Sequence, residues 1–81
     1  MNVRVLAFAR IREIVGFSER DVAVPERASA HELWGILSAE HPALAELASS
    51  TRIARNGTIV PAATELAEGD EVAFLPPVGG G

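Results

Sequence analysis

One segment of the chain has the pattern of a regular helix, and it lies between segments that have the pattern of strands. Ser29 stands three residues before Glu32, the spacing of a capping box at the N-terminus of a helix. Apolar residues follow at helical spacing over residues 33–37, and the pattern ends at Pro42. A single amphipathic helix among strands buries its apolar stripe by lying across a sheet. The sequence therefore predicts an α+β domain, with one principal helix packed across one face of a mixed sheet.

Five segments are rich in apolar and β-branched residues. They predict strands over residues 2–9, 19–24, 51–55, 58–60 and 71–75. Asn56-Gly57 between two of them is the sequence of a type I′ hairpin turn. Residues 9–16 predict a turn or short helix that Gly16 ends, and residues 43–48 predict a second short helix. Residues 61–68 predict a loop that Leu66 anchors inward.

The order of these segments predicts how the strands pair. An N-terminal hairpin, then a helix that crosses to a last strand parallel with the first, is the ubiquitin-like β-grasp arrangement. We expect this domain to comprise residues 1–75. The sheet face away from the helix should be apolar and open near Phe8, Phe74 and Leu75, and such a patch on a small protein indicates a partner. The sequence leaves open whether Phe74 faces the core or the partner.

The last six residues, Pro76-Pro77-Val78-Gly79-Gly80-Gly81, predict an extended tail. Its reach is roughly 20 Å at ~3.3 Å per residue, and glycine adds no width beyond the backbone. Such an arm fits a narrow channel and presents a free carboxylate. A carboxylate must be activated before acyl transfer, most simply as a mixed anhydride with AMP made from ATP. The alternative is a frayed Gly-rich terminus.

Composition excludes several classes of function. The 81 residues make one domain without cysteine, so disulfides and thiol nucleophiles are absent. A net charge of −4 argues against nucleic acid as a partner, and no apolar run or signal-peptide pattern indicates a membrane. We therefore expect a cytoplasmic protein. His31 and His41 are about 15 Å apart on one helix and cannot share a metal, so we expect no metal site and no catalytic constellation.

Two motifs resemble a known family over essentially the whole chain. They are Phe8-Ala9-x-x-Arg12-Glu13-x-x-Gly16 and Gly69-Asp70-Glu71-Val72-Ala73-Phe74-Leu75-Pro76-Pro77-Val78-x-Gly80-Gly81. Both resemble the small subunit of molybdopterin synthase, a sulfur carrier with a ubiquitin-like β-grasp fold. That family often has Ser or Thr where Gly79 stands, a departure that leaves the chemistry unchanged.

The resemblance implies a function for the tail. Gly81 would be adenylated by an E1-like enzyme, which uses ATP, and would become a thiocarboxylate with sulfur from a sulfur donor enzyme. The tail would then insert into the large synthase subunit, which would carry the catalytic residues, and the sulfur would go to a pterin precursor. The carrier itself would bind no cofactor permanently. The implied partner-binding residues are Phe74, Leu75, Pro76, Pro77, Val78, Gly79 and Gly80.

Two other functions stay open at this point. A related carrier would supply sulfur for thiamine, cysteine or tRNA thiolation. A ubiquitin-like protein modifier or plain interaction module would use the glycines for an isopeptide bond or not at all. The Pro-Pro-Val step before the glycines favours the molybdopterin pathway, since the other carriers resemble this tail mainly in Gly-Gly.

Overall fold

The chain folds around a five-stranded mixed sheet in a computed structural model that describes residues 1–77. The elements are β1 (Asn2–Ala7), α1 (Ala9–Val15), β2 (Glu19–Ala23), α2 (Ala30–Glu40), a 3₁₀ helix (Pro42–Ser50), β3 (Arg52–Arg55), β4 (Thr58–Val60) and β5 (Glu71–Leu75). The strand order is β2-β1-β5-β3-β4, in which β1 and β5 are parallel and the other neighbours are antiparallel. This arrangement confirms the predicted β-grasp topology, with β2 at one edge and β1 inside the sheet.

The principal helix begins and ends where the sequence predicts. The Ser29 hydroxyl accepts a hydrogen bond from the Glu32 backbone N–H at 3.0 Å, which satisfies one of the free donors of the first turn. At the other end, the His41 N–H donates to the Leu37 carbonyl before Pro42 stops the helix. The apolar stripe of α2 is buried against the sheet, and its members are Ala30, Leu33, Trp34 and Leu37.

Two turns that the sequence predicts have a left-handed backbone at Asn or Gly. Gly16 has φ 83° and closes α1, and its N–H donates to the Arg12 carbonyl at 2.9 Å. Asn56 and Gly57 have φ 49° and 86°, as the predicted β3–β4 hairpin requires. The chain therefore changes direction at these points with little strain.

The core lies between the sheet and the helices. It contains alternate residues of the strands, among them Val3, Val5, Val72 and Phe74, together with the buried stripe of α2. The rings of Phe74 and Trp34 meet at 5.1 Å between centroids with an interplanar angle of 60°, an edge-to-face arrangement. Leu66 is buried and anchors the loop before β5, as predicted.

Two elements differ from the predicted bounds by two residues at one end, while β2 and β3 are each one residue shorter than predicted. The first strand ends at Ala7 because the chain turns into α1 at Phe8, whose backbone is still extended. The predicted second short helix is a 3₁₀ helix of nine residues in which Leu44 is fully buried. No helix within residues 1–77 has the length and apolar character needed to cross a bilayer.

Candidate functional site

The tail leaves the fold from the central strand of the sheet. β5 ends at Leu75, and Pro76 and Pro77 follow without regular structure. Proline has no N–H to donate to a neighbouring strand, so the ladder stops there. Pro76 is half-buried and Pro77 is exposed. The last side chains of β5 and the base of the tail therefore belong to one continuous surface.

Near the end of β5, the sheet face away from the helices is apolar, and residues 1–77 leave it uncovered. Strand register places Leu6, Ala73, Ala54 and Ile59 in one row across four strands. Ile59 is 54% exposed, and Phe8, beyond the end of β1, is 44% exposed. We call Leu6, Phe8, Ala73, Leu75 and Ile59 the open-face patch. Exposed large apolar side chains grouped next to the tail are typical of a protein-binding surface.

Phe74 does not belong to this surface, which corrects its predicted place among the partner-binding residues. Its side chain is 0% exposed and packs on Trp34. Successive side chains of a strand point to opposite faces, so Phe74 lies on the core face and Leu75 on the open face. Leu75 is half-buried and remains accessible at the tail base.

A groove runs along the base of the tail. It has a volume of about 490 Å³ and is lined by Ser50, Arg52, Leu75, Pro76 and Pro77. Arg52 is the register partner of Leu75 on the neighbouring strand, so both side chains emerge on the open face. We call this feature the tail-base groove. It combines an apolar wall with one guanidinium group.

The opposite end of the open face is polar. Arg4 lies between Asp21 and Glu19, with N···O distances of 3.3 and 3.9 Å. All three side chains are more than half exposed, and such ion pairs contribute little to stability. The apolar patch is therefore bounded by charge on the side away from the tail.

The acidic turn before β5, residues 68–70, has a structural role. The Asp70 carboxylate accepts hydrogen bonds from the Asn56 side-chain amide at 3.1 Å and from the Ala67 N–H at 2.8 Å. The Asn56 side-chain oxygen in turn accepts from the Glu71 N–H at 2.9 Å. These bonds fix the β3–β4 hairpin to the turn. The described part of the chain contains no group of three or more potential metal ligands.

Several predicted site residues lie outside the described residues. These are Val78, Gly79, Gly80 and Gly81, so the extended tail and its boundary at residue 76 stay predictions. Of the remaining site residues, Leu75, Pro76 and Pro77 lie together at the tail base. Sequence reasoning missed Ile59 and Arg52, because their positions relative to the tail depend on the register of β4 with β3 and of β3 with β5.

Comparisons with known proteins agree with this geometry. The model of the ThiS family matches residues 5–81. The chain is 37% identical to the molybdopterin synthase sulfur carrier subunit of Chlamydomonas reinhardtii, and the alignment covers 100% of both chains.

Solved structures show the same fold. SAMP1 from Haloferax volcanii superposes with a TM-score of 0.87 at 28% identity over 100% of both chains. A chain from the protein–protein complex of subunits 1 and 2 of molybdopterin-converting factor from Helicobacter pylori superposes with a TM-score of 0.69. That chain is also 28% identical, and the match covers 100% of both chains.

Proposed function

The chain belongs to the ThiS family, and from that premise we propose that it is a sulfur carrier of molybdopterin synthesis. It acts as the small subunit of molybdopterin synthase. Its C-terminal glycine, Gly81, carries the sulfur as a thiocarboxylate and delivers it to a pterin precursor. The observation that carries this proposal is full-length similarity to named sulfur carrier subunits, which extends through the Pro-Pro-Val and Gly-Gly residues of the tail.

The chemistry proceeds through an activated acyl group. The carboxylate of Gly81 attacks the α-phosphorus of ATP, which forms an acyl adenylate and releases pyrophosphate. A sulfide equivalent from a sulfur donor enzyme then attacks the acyl carbon and displaces AMP, leaving a thiocarboxylate. After the sulfur passes to the pterin precursor, an oxygen from water restores the carboxylate. An E1-like adenylating enzyme performs the first step, so ATP is a substrate of that partner.

The folded domain supplies recognition in this scheme. The open-face patch and the tail base bind the partner, and Val78, Gly79 and Gly80 pass through its channel. Glycines suit a channel because no side chain widens the tail. The catalytic side chains then belong to the large subunit, and the carrier needs no resident cofactor. We expect this sulfur transfer to take place in the cytoplasm.

Deletion of Gly81 tests the proposal. The shortened protein should lose sulfur transfer entirely, because its last carbonyl carbon stops one residue short of the reacting groups. The measurement is conversion of the pterin precursor by the purified large subunit, after incubation with the activating enzyme, ATP and sulfide. Gly79→Ser is the matched control and should retain activity, since the family often has Ser or Thr there. Sulfur transfer by the shortened protein would contradict the proposal.

A second candidate function is protein modification. The structures of small archaeal modifier protein 1 favour it, since that of Haloferax volcanii superposes closely on this chain. All seven basic side chains here are arginine, so any isopeptide acceptor would be a lysine of another protein. Covalent adducts of this chain with other proteins, formed with the activating enzyme and ATP, would favour the modifier. Sulfur delivery to thiamine, cysteine or tRNA precursors instead of the pterin would indicate a related carrier.

A further inference from the structure

Arg52 occupies a distinctive position at the base of the tail. It lines the tail-base groove with Pro76 and Pro77, and it is the register partner of the last residue of β5. We infer that Arg52 binds a carboxylate of the partner protein that encloses the tail. This inference rests on the proposed function and names the chemistry of the partner surface at the mouth of the channel.

Within the described part of the chain, Arg52 forms no ion pair. Four arginines are paired with carboxylates: Arg4 with Glu19 and Asp21, Arg10 with Glu13, Arg20 with Glu40, and Arg27 with Glu65. Arg55 donates to the Glu65 carbonyl at 3.1 Å. Arg52 makes no such contact, although the chain has 11 acidic residues against seven basic ones.

Arg12 is likewise unpaired among residues 1–77, but its surroundings differ. It lines a shallow depression with Ala9, Arg10 and Glu13, where an acidic side chain is already present. Among residues 1–77, no acidic residue lines the tail-base groove. Arg52 is therefore the cation that a protein covering the tail base meets.

The length of the tail limits how far from Arg52 a protein that binds Gly81 can lie. The four residues beyond Pro77 span at most about 14 Å when extended. A protein that holds Gly81 in an enclosed site must therefore approach the groove from which the tail emerges. The open-face patch continues this contact surface, because Leu75 belongs to both the patch and the groove.

Covering Arg52 without an anion would be unfavourable. A guanidinium group removed from water needs an opposite charge and hydrogen-bond acceptors, because an unpaired buried charge is strongly unfavourable. The described residues that line the groove include no acidic side chain to supply them. A carboxylate on the partner supplies both the negative charge and the acceptors. Its planar geometry matches the guanidinium in a bidentate pair. The partner thus carries an aspartate or glutamate beside the entrance of its channel.

Charge reversal at Arg52 tests the inference in the complex with the purified large subunit of the same organism. Arg52→Glu should weaken binding about tenfold or more, because two carboxylates would then face each other. The loss should appear mainly as faster dissociation. Arg52→Lys keeps the charge but loses the bidentate geometry, so its affinity should fall between those of the wild type and Arg52→Glu. Both Arg52 variants should melt close to the temperature of the wild type, since the exposed Arg52 side chain forms no ion pair among residues 1–77.

Arg27→Glu is the matched control for the change in net charge. Arg27 follows β2 and lies at the end of the sheet opposite the tail, with its side chain 87% exposed. Arg27→Glu should change the affinity for the large subunit by no more than about twofold, because a remote surface charge has little effect on binding. Exchange of the facing partner carboxylate for arginine should restore binding of Arg52→Glu.

The outcomes separate this inference from the proposed function. If the wild type binds the large subunit and Arg52→Glu binds as tightly as Arg27→Glu, the inference is wrong and the proposed function stands. If no single partner carboxylate rescues Arg52→Glu, the ion pair is also ruled out. If the wild type fails to bind the large subunit at all, both are overturned.

Discussion

The two faces of the sheet are formed by the same strands, but one face is buried under the helices and the other is accessible. Phe74 and Leu75 are neighbours on β5, yet Phe74 is 0% exposed against Trp34 while Leu75 lies at the accessible base of the tail. The alternation of a strand makes this division possible, because each strand contributes to both faces. The helix-covered face holds the core, and the open face is the surface that we propose for partner binding.

The division also explains how a protein of this size can expose large apolar side chains. A domain of about 80 residues buries little more than 60% of its unfolded surface, so its core has few residues to spare. Here the core side of β1 and β5 is filled by Val3, Val5, Val72 and Phe74. We therefore expect Phe8 and Ile59 to add little to stability, and the proposed docking surface accounts for their exposure.

Phe74→Ala should have the largest effect on stability of the three substitutions. A small effect would contradict the assignment of Phe74 to the core face. Removing a fully buried phenylalanine leaves a cavity beside Trp34 and should lower the free energy of unfolding by about 3–5 kcal/mol. Denaturant unfolding followed by tryptophan fluorescence measures this change. A loss below about 1 kcal/mol would mean that Phe74 is not a core residue.

Phe8→Ala should show the reverse pattern. The free energy of unfolding should change by less than about 1 kcal/mol, since the side chain is largely exposed. Binding to the large subunit should weaken by about tenfold, as expected for an apolar interface anchor. Calorimetric titration measures the affinity. Equal affinities of Phe8→Ala and the wild type would remove Phe8 from the docking surface.

Gly35→Ala should have the smallest effect. It tests whether the helix-covered side of the molecule takes part in partner binding. Gly35 lies in the middle of α2, is exposed, and has open space where a Cβ would stand. Alanine should stabilise the helix by about 0.5–1 kcal/mol, because glycine loses more backbone entropy on folding. Binding should not change, since this surface is opposite the open-face patch. Weaker binding of Gly35→Ala would show that the partner also contacts α2.

Local signals in the sequence predicted most of the fold. The Ser29 cap, the Asn56-Gly57 turn and the Gly16 helix stop depend on residues close together in the chain, and each was confirmed. The tie between Asn56 and Asp70 was not predictable, because it joins side chains 14 residues apart through a pairing of β3 with β5.

The sequence predicted which kinds of residue form the site, but it did not predict which face of the sheet each of them occupies. The apolar residues of β5 indicated a surface near the tail, but composition alone did not assign Phe74 to one face. Its place depends on the register with Ile53 and Ala7 and on the position of Trp34. Arg52 becomes notable only when β3 is set beside β5, since its sequence neighbours give no sign that the tail emerges there.

The central claim is that the terminal acyl carbon of Gly81 carries sulfur, and the intact mass of the protein tests it most directly. The protein is incubated with its activating enzyme, ATP and a sulfide source, and then measured with fragmentation of the C-terminal peptide. The account predicts that one oxygen is replaced by sulfur, that the change maps to Gly81, and that it requires ATP. An unchanged mass under these conditions, with an activating enzyme shown to be competent on another carrier, would contradict it.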